Sequence, residues 1–92
     1  MVLAASLLLY RAAAVDWTAT TNGNWFDNGN WSASAPNAQD AVANFNADIS
    51  GANLNVNLNS PATVGSIVFD DPDGSDSYVI GGGNALTMDV AS

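Results

Sequence analysis

Large apolar side chains occupy every second residue of Asn53-Leu54-Asn55-Val56-Asn57-Leu58-Asn59, with asparagine between them. A period of two predicts a strand with one face in the core and one in water. The stretch Asn84-Ala85-Leu86-Thr87-Met88-Asp89-Val90 repeats the pattern, and Leu54, Val56 and Leu58 precede Leu86, Met88 and Val90, in that order, by one constant interval. A constant offset suggests that the chain returns to one wall of the molecule after each circuit, as in a coil of stacked strands. Ala41-Val42-Ala43-Asn44-Phe45 predicts a further short strand. Val64-Gly65-Ser66-Ile67-Val68-Phe69 predicts another, with Ile67 and Phe69 on one side, and Tyr78-Val79-Ile80 resumes strand character. Turns are expected at Pro36 to Asp40, at Ser60-Pro61-Ala62, where proline cannot donate to a ladder, and at Gly81-Gly82-Gly83-Asn84.

The front of the chain departs from this pattern. Val2 to Leu9 is an apolar run well short of the roughly 20 residues that span a bilayer, and Ala12-Ala13-Ala14 supplies the small residues of a cleavage site. Residues 1–14 therefore read as an export signal, with Val15 or Asp16 as the mature start, although no Lys or Arg precedes the run and Arg11 follows it. A buried strand or helix is the competing reading. The expected organisation is a signal at 1–14, a tryptophan-rich cap at 15–45 and stacked rungs at 46–92.

Composition narrows the fold class to all-β. The 92 residues contain no Glu, Lys or His, while Asn, Gly, Ser, Thr and Ala are plentiful. Surface helices draw on charged helix formers, so this mix favours short strands and turns. One small domain with a modest core is all that the length allows. Nine acidic residues against one basic give a formal charge of −8. All nine are Asp at or after Asp16, so a mature chain would carry no cationic side chain. Phosphate backbones and anionic lipid would be repelled, which disfavours nucleic-acid and membrane-surface partners, whereas divalent cations would be attracted. Without Cys or His there is no disulfide framework, and zinc, haem and non-haem iron lose their usual ligands.

Two clusters could carry chemistry. All three tryptophans fall in Asp16-Trp17-Thr18, Gly23-Asn24-Trp25-Phe26 and Gly29-Asn30-Trp31-Ser32, and the repeated Gly-Asn signals turns around anchored indoles. The structural reading is a lid over the first rung of the stack, since an open end exposes apolar atoms and unpaired backbone. The functional reading is a sugar-stacking platform of Trp25, Phe26 and Trp31. The packed lid is favoured, because indoles in so short a chain are more often buried than displayed. The second cluster, Asp70-Asp71-Pro72-Asp73-Gly74-Ser75-Asp76, offers oxygen ligands and a bend-permitting glycine, with Asp71, Asp73 and Asp76 as a weak calcium candidate. Its spacing is not that of an EF-hand, and a solvated turn is favoured. No other cofactor is expected.

The linear order of Trp17, Gly29-Asn30-Trp31, Pro36, Asp40, Phe45, an alternating strand, Val64-x-x-Ile67-x-Phe69, Tyr78-x-Ile80-x-Gly82 and Leu86-x-Met88 resembles the opening of passenger domains built from autotransporter-associated β-strand repeats. The resemblance runs from Trp17 onwards, over most of the chain. It implies a right-handed parallel β-helix behind a tryptophan-rich cap, in a secreted or cell-surface protein of a bacterium. Family passengers run to many hundreds of residues and end, in true autotransporters, in a membrane β-barrel. A fragment holding the cap and the first one or two rungs is therefore expected, its chief partner being the remainder of the same chain.

Three functions follow as expectations. The first is a non-enzymatic, exported structural module. The second is glycan binding by Trp25, Phe26 and Trp31, with calcium at the acidic loop. The third is a piece of a β-helical polysaccharide-degrading enzyme, with Asp40, Asp48 and Asp70 as carboxylates for acid–base work. No pairing or cleft for these three can be argued from sequence, and lyase chemistry would want a basic residue that the chain lacks beyond Arg11.

Overall fold

The computed structural model describes residues 14–49, 51–72 and 76–91. The expected export segment, apart from Ala14, lies outside them. The described chain is all-β: eight short strands and one 3-10 turn at Asn28–Asn30, with no α-helix among the described residues. The strands are β1 (Ala14–Asp16), β2 (Gly23–Asn24), β3 (Val42–Phe45), β4 (Leu54–Asn57), β5 (Ala62–Val64), β6 (Ser66–Phe69), β7 (Tyr78–Gly81) and β8 (Leu86–Met88).

They form three small sheets, ordered β1-β3-β6, β2-β4-β7 and β5-β8, and every strand pair is parallel. From β3 onward the chain visits the three sheets in rotation, and each strand pairs with the one three places later. The register is constant. Asn53 and Ser77, which precede β4 and β7, are 24 residues apart. The same interval separates Val42 from its neighbour Ser66, Leu54 from Tyr78 and Ala62 from Leu86. The earlier circuits are longer, with 28 residues from Asp16 to its partner Asn44 and 33 from Asn24 to Asn57. The surplus contains the tryptophan loops.

This register corrects the expected stacking of the two alternating stripes. Leu54 and Val56 lie beside Tyr78 and Ile80, whereas Leu86 and Met88 lie beside Ala62 and Val64. The stripes belong to different walls. Their spacing is one circuit plus the step that carries the chain from Leu54 to Ala62 on the next wall. The apolar run Val64–Phe69 likewise divides into β5 and β6 at Gly65. A Cβ on Gly65 would stand 2.5 Å from the Asp40 Cα, so only glycine lets the chain turn there against the neighbouring circuit. Gly65 and Ser66 both donate their N–H groups to the Ala41 carbonyl, at 2.7 and 3.1 Å.

Alternation places the core as expected for the middle circuit. Ala43 and Phe45 of β3, Leu54 and Val56 of β4, and Ala62 and Val64 of β5 are all buried. Each wall sends every second side chain inward. The circuit of β6, β7 and β8 has a neighbour on one side, and its inward residues Ile67, Tyr78, Ile80 and Leu86 are half-buried against the core.

The asparagine content has a local cause. Parallel ladders leave backbone groups unmet where the chain leaves a strand, and asparagine side chains meet them across circuits. Asn22 accepts from the Asn55 N–H at 2.7 Å, Asn53 from Ser77 at 2.9 Å and Asn37 from Thr63 at 2.9 Å. Asn57 donates to the Asn24 side chain at 2.9 Å, and Asn84 to the Leu58 carbonyl at 2.9 Å.

Candidate functional site

The tryptophan segment packs its three indoles into the core. Gly23–Asn24, expected as a turn, is instead the short strand β2, because its backbone pairs with Val56–Asn57. The second Gly-Asn lies in the 3-10 turn, which Asp27 caps by accepting from the Gly29 N–H at 3.2 Å. Trp17 and Trp31 meet edge to face at 5.2 Å between centroids, and Trp25 and Trp31 at 5.1 Å. Phe45 lies against all three indoles, at 5.4 to 6.0 Å. These are favourable offset and edge-to-face geometries for π-systems. The Trp25 indole N–H donates to the Pro36 carbonyl at 2.9 Å and that of Trp31 to the Trp25 carbonyl at 2.7 Å. The Trp17 indole nitrogen is buried without a hydrogen-bond partner.

That packing corrects the sugar platform of Trp25, Phe26 and Trp31. Trp25 is 0% exposed and Trp31 is 5% exposed, so neither presents an open ring face to a pyranose. Phe26 is half-buried against the core, and its N–H donates to the Asn59 side chain at 3.0 Å. The same indoles that would have stacked on sugar pack against Phe45 in the core.

The acidic loop brings together a different set of groups. Asp71 and Asp76 line a cavity of about 250 Å³ with Phe69, Ser77 and Tyr78. Asp73, the third expected calcium ligand, lies outside the described residues. Among the described residues no three His, Cys, Asp or Glu side chains are grouped to hold a metal ion. Both carboxylate oxygens of Asp71 are buried without a hydrogen-bond partner. The Tyr78 hydroxyl donates to the Ala47 carbonyl at 2.6 Å. Burial first, and the Asp71 and Asp48 carboxylates after it, push the Tyr78 phenol above its ordinary value of 10.0, against the opposing effect of the Ala47 bond.

The carboxylates weighed for acid–base work occupy separate settings. Asp40 sits at the corner facing Gly65 with φ 66°, in the left-handed region, and its Oδ1 accepts from the Ala91 N–H at 2.9 Å. Asp70 follows β6 and is exposed, its N–H donating to the Phe45 carbonyl at 2.8 Å. Asp48 is exposed beyond β3. A second cavity of about 230 Å³ is lined by Thr20, Thr21, Asn22, Ile49, Ala52, Asn53 and Leu54, and holds no ionisable group among those residues.

Sequence reasoning singled out Asp71 and Asp76 but did not reach Phe69, Ser77 and Tyr78 beside them, whose only signal was an aromatic residue on each side of the acidic run. No helix among the described residues is long and apolar enough to cross a membrane. No family model, no curated protein and no solved structure matches the chain.

Proposed function

We propose that the protein is a non-enzymatic structural module: the capped end of a right-handed parallel β-helical rod in an exported bacterial surface or secreted protein. The observation that carries the reading is the fixed register, one interval repeated on three walls, in which every strand pair is parallel. A closed globular sheet has no need for such a period, whereas a coil built of equivalent turns does. The tryptophan lid supports it as well, because a rod needs one end at which apolar side chains are closed off. The mechanism is mechanical: backbone ladders and stacked side chains stiffen the module so that it holds other parts of a longer chain away from their anchor.

Duplicating residues 42–65 in place inserts one whole circuit between β5 and β6 and keeps each wall in register. A rod accepts the extra turn with its β content retained and its melting temperature equal or higher, since each added interface adds stability. Duplicating 42–59 instead breaks the register and is expected to unfold the chain. If the whole-circuit duplication unfolds it equally, the rod reading is wrong. Export is tested separately by sequencing the N-terminus of the full chain recovered from a bacterial culture medium or cell surface, with Val15 or Asp16 expected as the first residue.

A further inference from the structure

Among the described residues, the cavity between β6 and β7 holds a buried carboxylate, that of Asp71, with no hydrogen-bond partner. Asp76 adds a second carboxylate to the same lining. A buried charge is costly unless it is paired or hydrogen-bonded. The described residues include no Lys, Arg or His, because the sole basic side chain of the sequence is Arg11. The rings of Phe69 and Tyr78 stand 6.3 Å apart at 37°. Phe69 stacks one face on Phe45 at 5.3 Å and remains 55% exposed.

We infer that this cavity is a binding site for an organic cation that carries N–H donors on an apolar stem, such as an alkylammonium group. Asp71 accepts the hydrogen bonds and, with Asp76, supplies the countercharge. Phe69 and Tyr78 supply aromatic surface, to which a cation is attracted within about 6 Å of a ring centroid. Two observations favour an organic cation over a metal ion. Calcium takes six to eight oxygen ligands, and among the described residues no three His, Cys, Asp or Glu side chains are grouped to hold a metal ion. The cavity, at about 250 Å³, is also several times the roughly 30 Å³ share of one water molecule, which leaves room for a stem beside the charged head. The inference does not depend on the rod reading.

Titration of the full chain with n-butylammonium chloride, followed by two-dimensional NMR, tests it. Sodium chloride at equal ionic strength, tetramethylammonium and calcium chloride serve as comparisons. Saturable shifts at Phe69, Asp71, Ser77 and Tyr78 are expected with n-butylammonium, and weaker ones with tetramethylammonium, which has no N–H donor. Asp71→Asn keeps the shape of the side chain and removes its charge, and is expected to weaken binding at least tenfold. Phe69→Leu, at a half-exposed position, is expected to weaken it about two- to fivefold. Shifts no larger than those from sodium, equal binding by both variants, or tighter saturation of the same resonances by calcium would each overturn the assignment.

Discussion

Phe45 is the ring on which the three indoles, Phe69 and Tyr78 all pack, and replacing it with alanine is the sharpest test of the packing described. Its ring is 0% exposed and lies 5.2 to 6.0 Å from the rings of Trp17, Trp25, Trp31, Phe69 and Tyr78. Truncating a buried phenylalanine to alanine costs about 3–5 kcal/mol. A 92-residue chain at roughly 0.05–0.15 kcal/mol per residue has about 5–14 kcal/mol in total, so Phe45→Ala removes a large share. Phe69 occupies the next place in the same column, beside Phe45 in register, but is 55% exposed. With about half its area buried, Phe69→Ala is expected to cost about 1 kcal/mol. At a urea slope of about 2 kcal/mol/M, the midpoint falls by about 2 M for Phe45→Ala and about 0.5 M for Phe69→Ala, read by far-ultraviolet circular dichroism. Midpoints within about 0.3 M of each other would refute the burial difference and with it the column.

Three further outcomes follow from particular residues. Gly82→Ala is expected to lower the melting temperature more than Gly83→Ala. Gly82 has φ +116° with the Leu58 carbonyl 2.8 Å from where a Cβ would stand, whereas a Cβ on Gly83 meets nothing within 4 Å; parallel calorimetry of the two variants checks it. Asp40→Asn is expected to stay within about 0.5 kcal/mol of the parent, because asparagine tolerates a left-handed backbone and keeps an acceptor for the Ala91 N–H. Asp40→Val loses both and is expected to cost about 2 kcal/mol or more in urea melts. Stability should also fall as pH rises through and above 10, because the Tyr78 phenol is raised in the folded chain: the unfolded chain then loses its proton first, and the contribution present below pH 10 is lost. Urea midpoints from pH 8 to 11 should decline less steeply for Tyr78→Phe.

Much of the all-β character was legible because period-two alternation is a direct image of a wall with one buried face. Leu54, Val56 and Leu58 are 2%, 1% and 3% exposed, as their spacing predicts. What alternation does not encode is which wall lies beside which, and so two stripes of different walls looked like successive layers of one. Gly65 was hidden for a related reason. It falls within an apolar run, and its role as a corner depends on the backbone of Asp40, which belongs to the preceding circuit. The tryptophans were legible as packed rather than displayed, since large aromatic side chains in a short chain have few other places to be, while the repeated Gly-Asn gave no warning that the first copy pairs with Val56–Asn57. The aromatic–acidic cavity was illegible for the same reason as the register: Phe69 and Tyr78 belong to different walls, and alternation does not say which walls meet.

All three indoles lie in one cluster, and this gives the molecule a built-in optical asymmetry. Tryptophan emission watches the circuit of β1 and β2 and is nearly blind to loosening of β6, β7 and β8, which carry none. Emission and backbone signals that lose amplitude at one denaturant concentration would mark the circuits as a single cooperative body, and a lag in emission would mark them as layers that peel away from the far side.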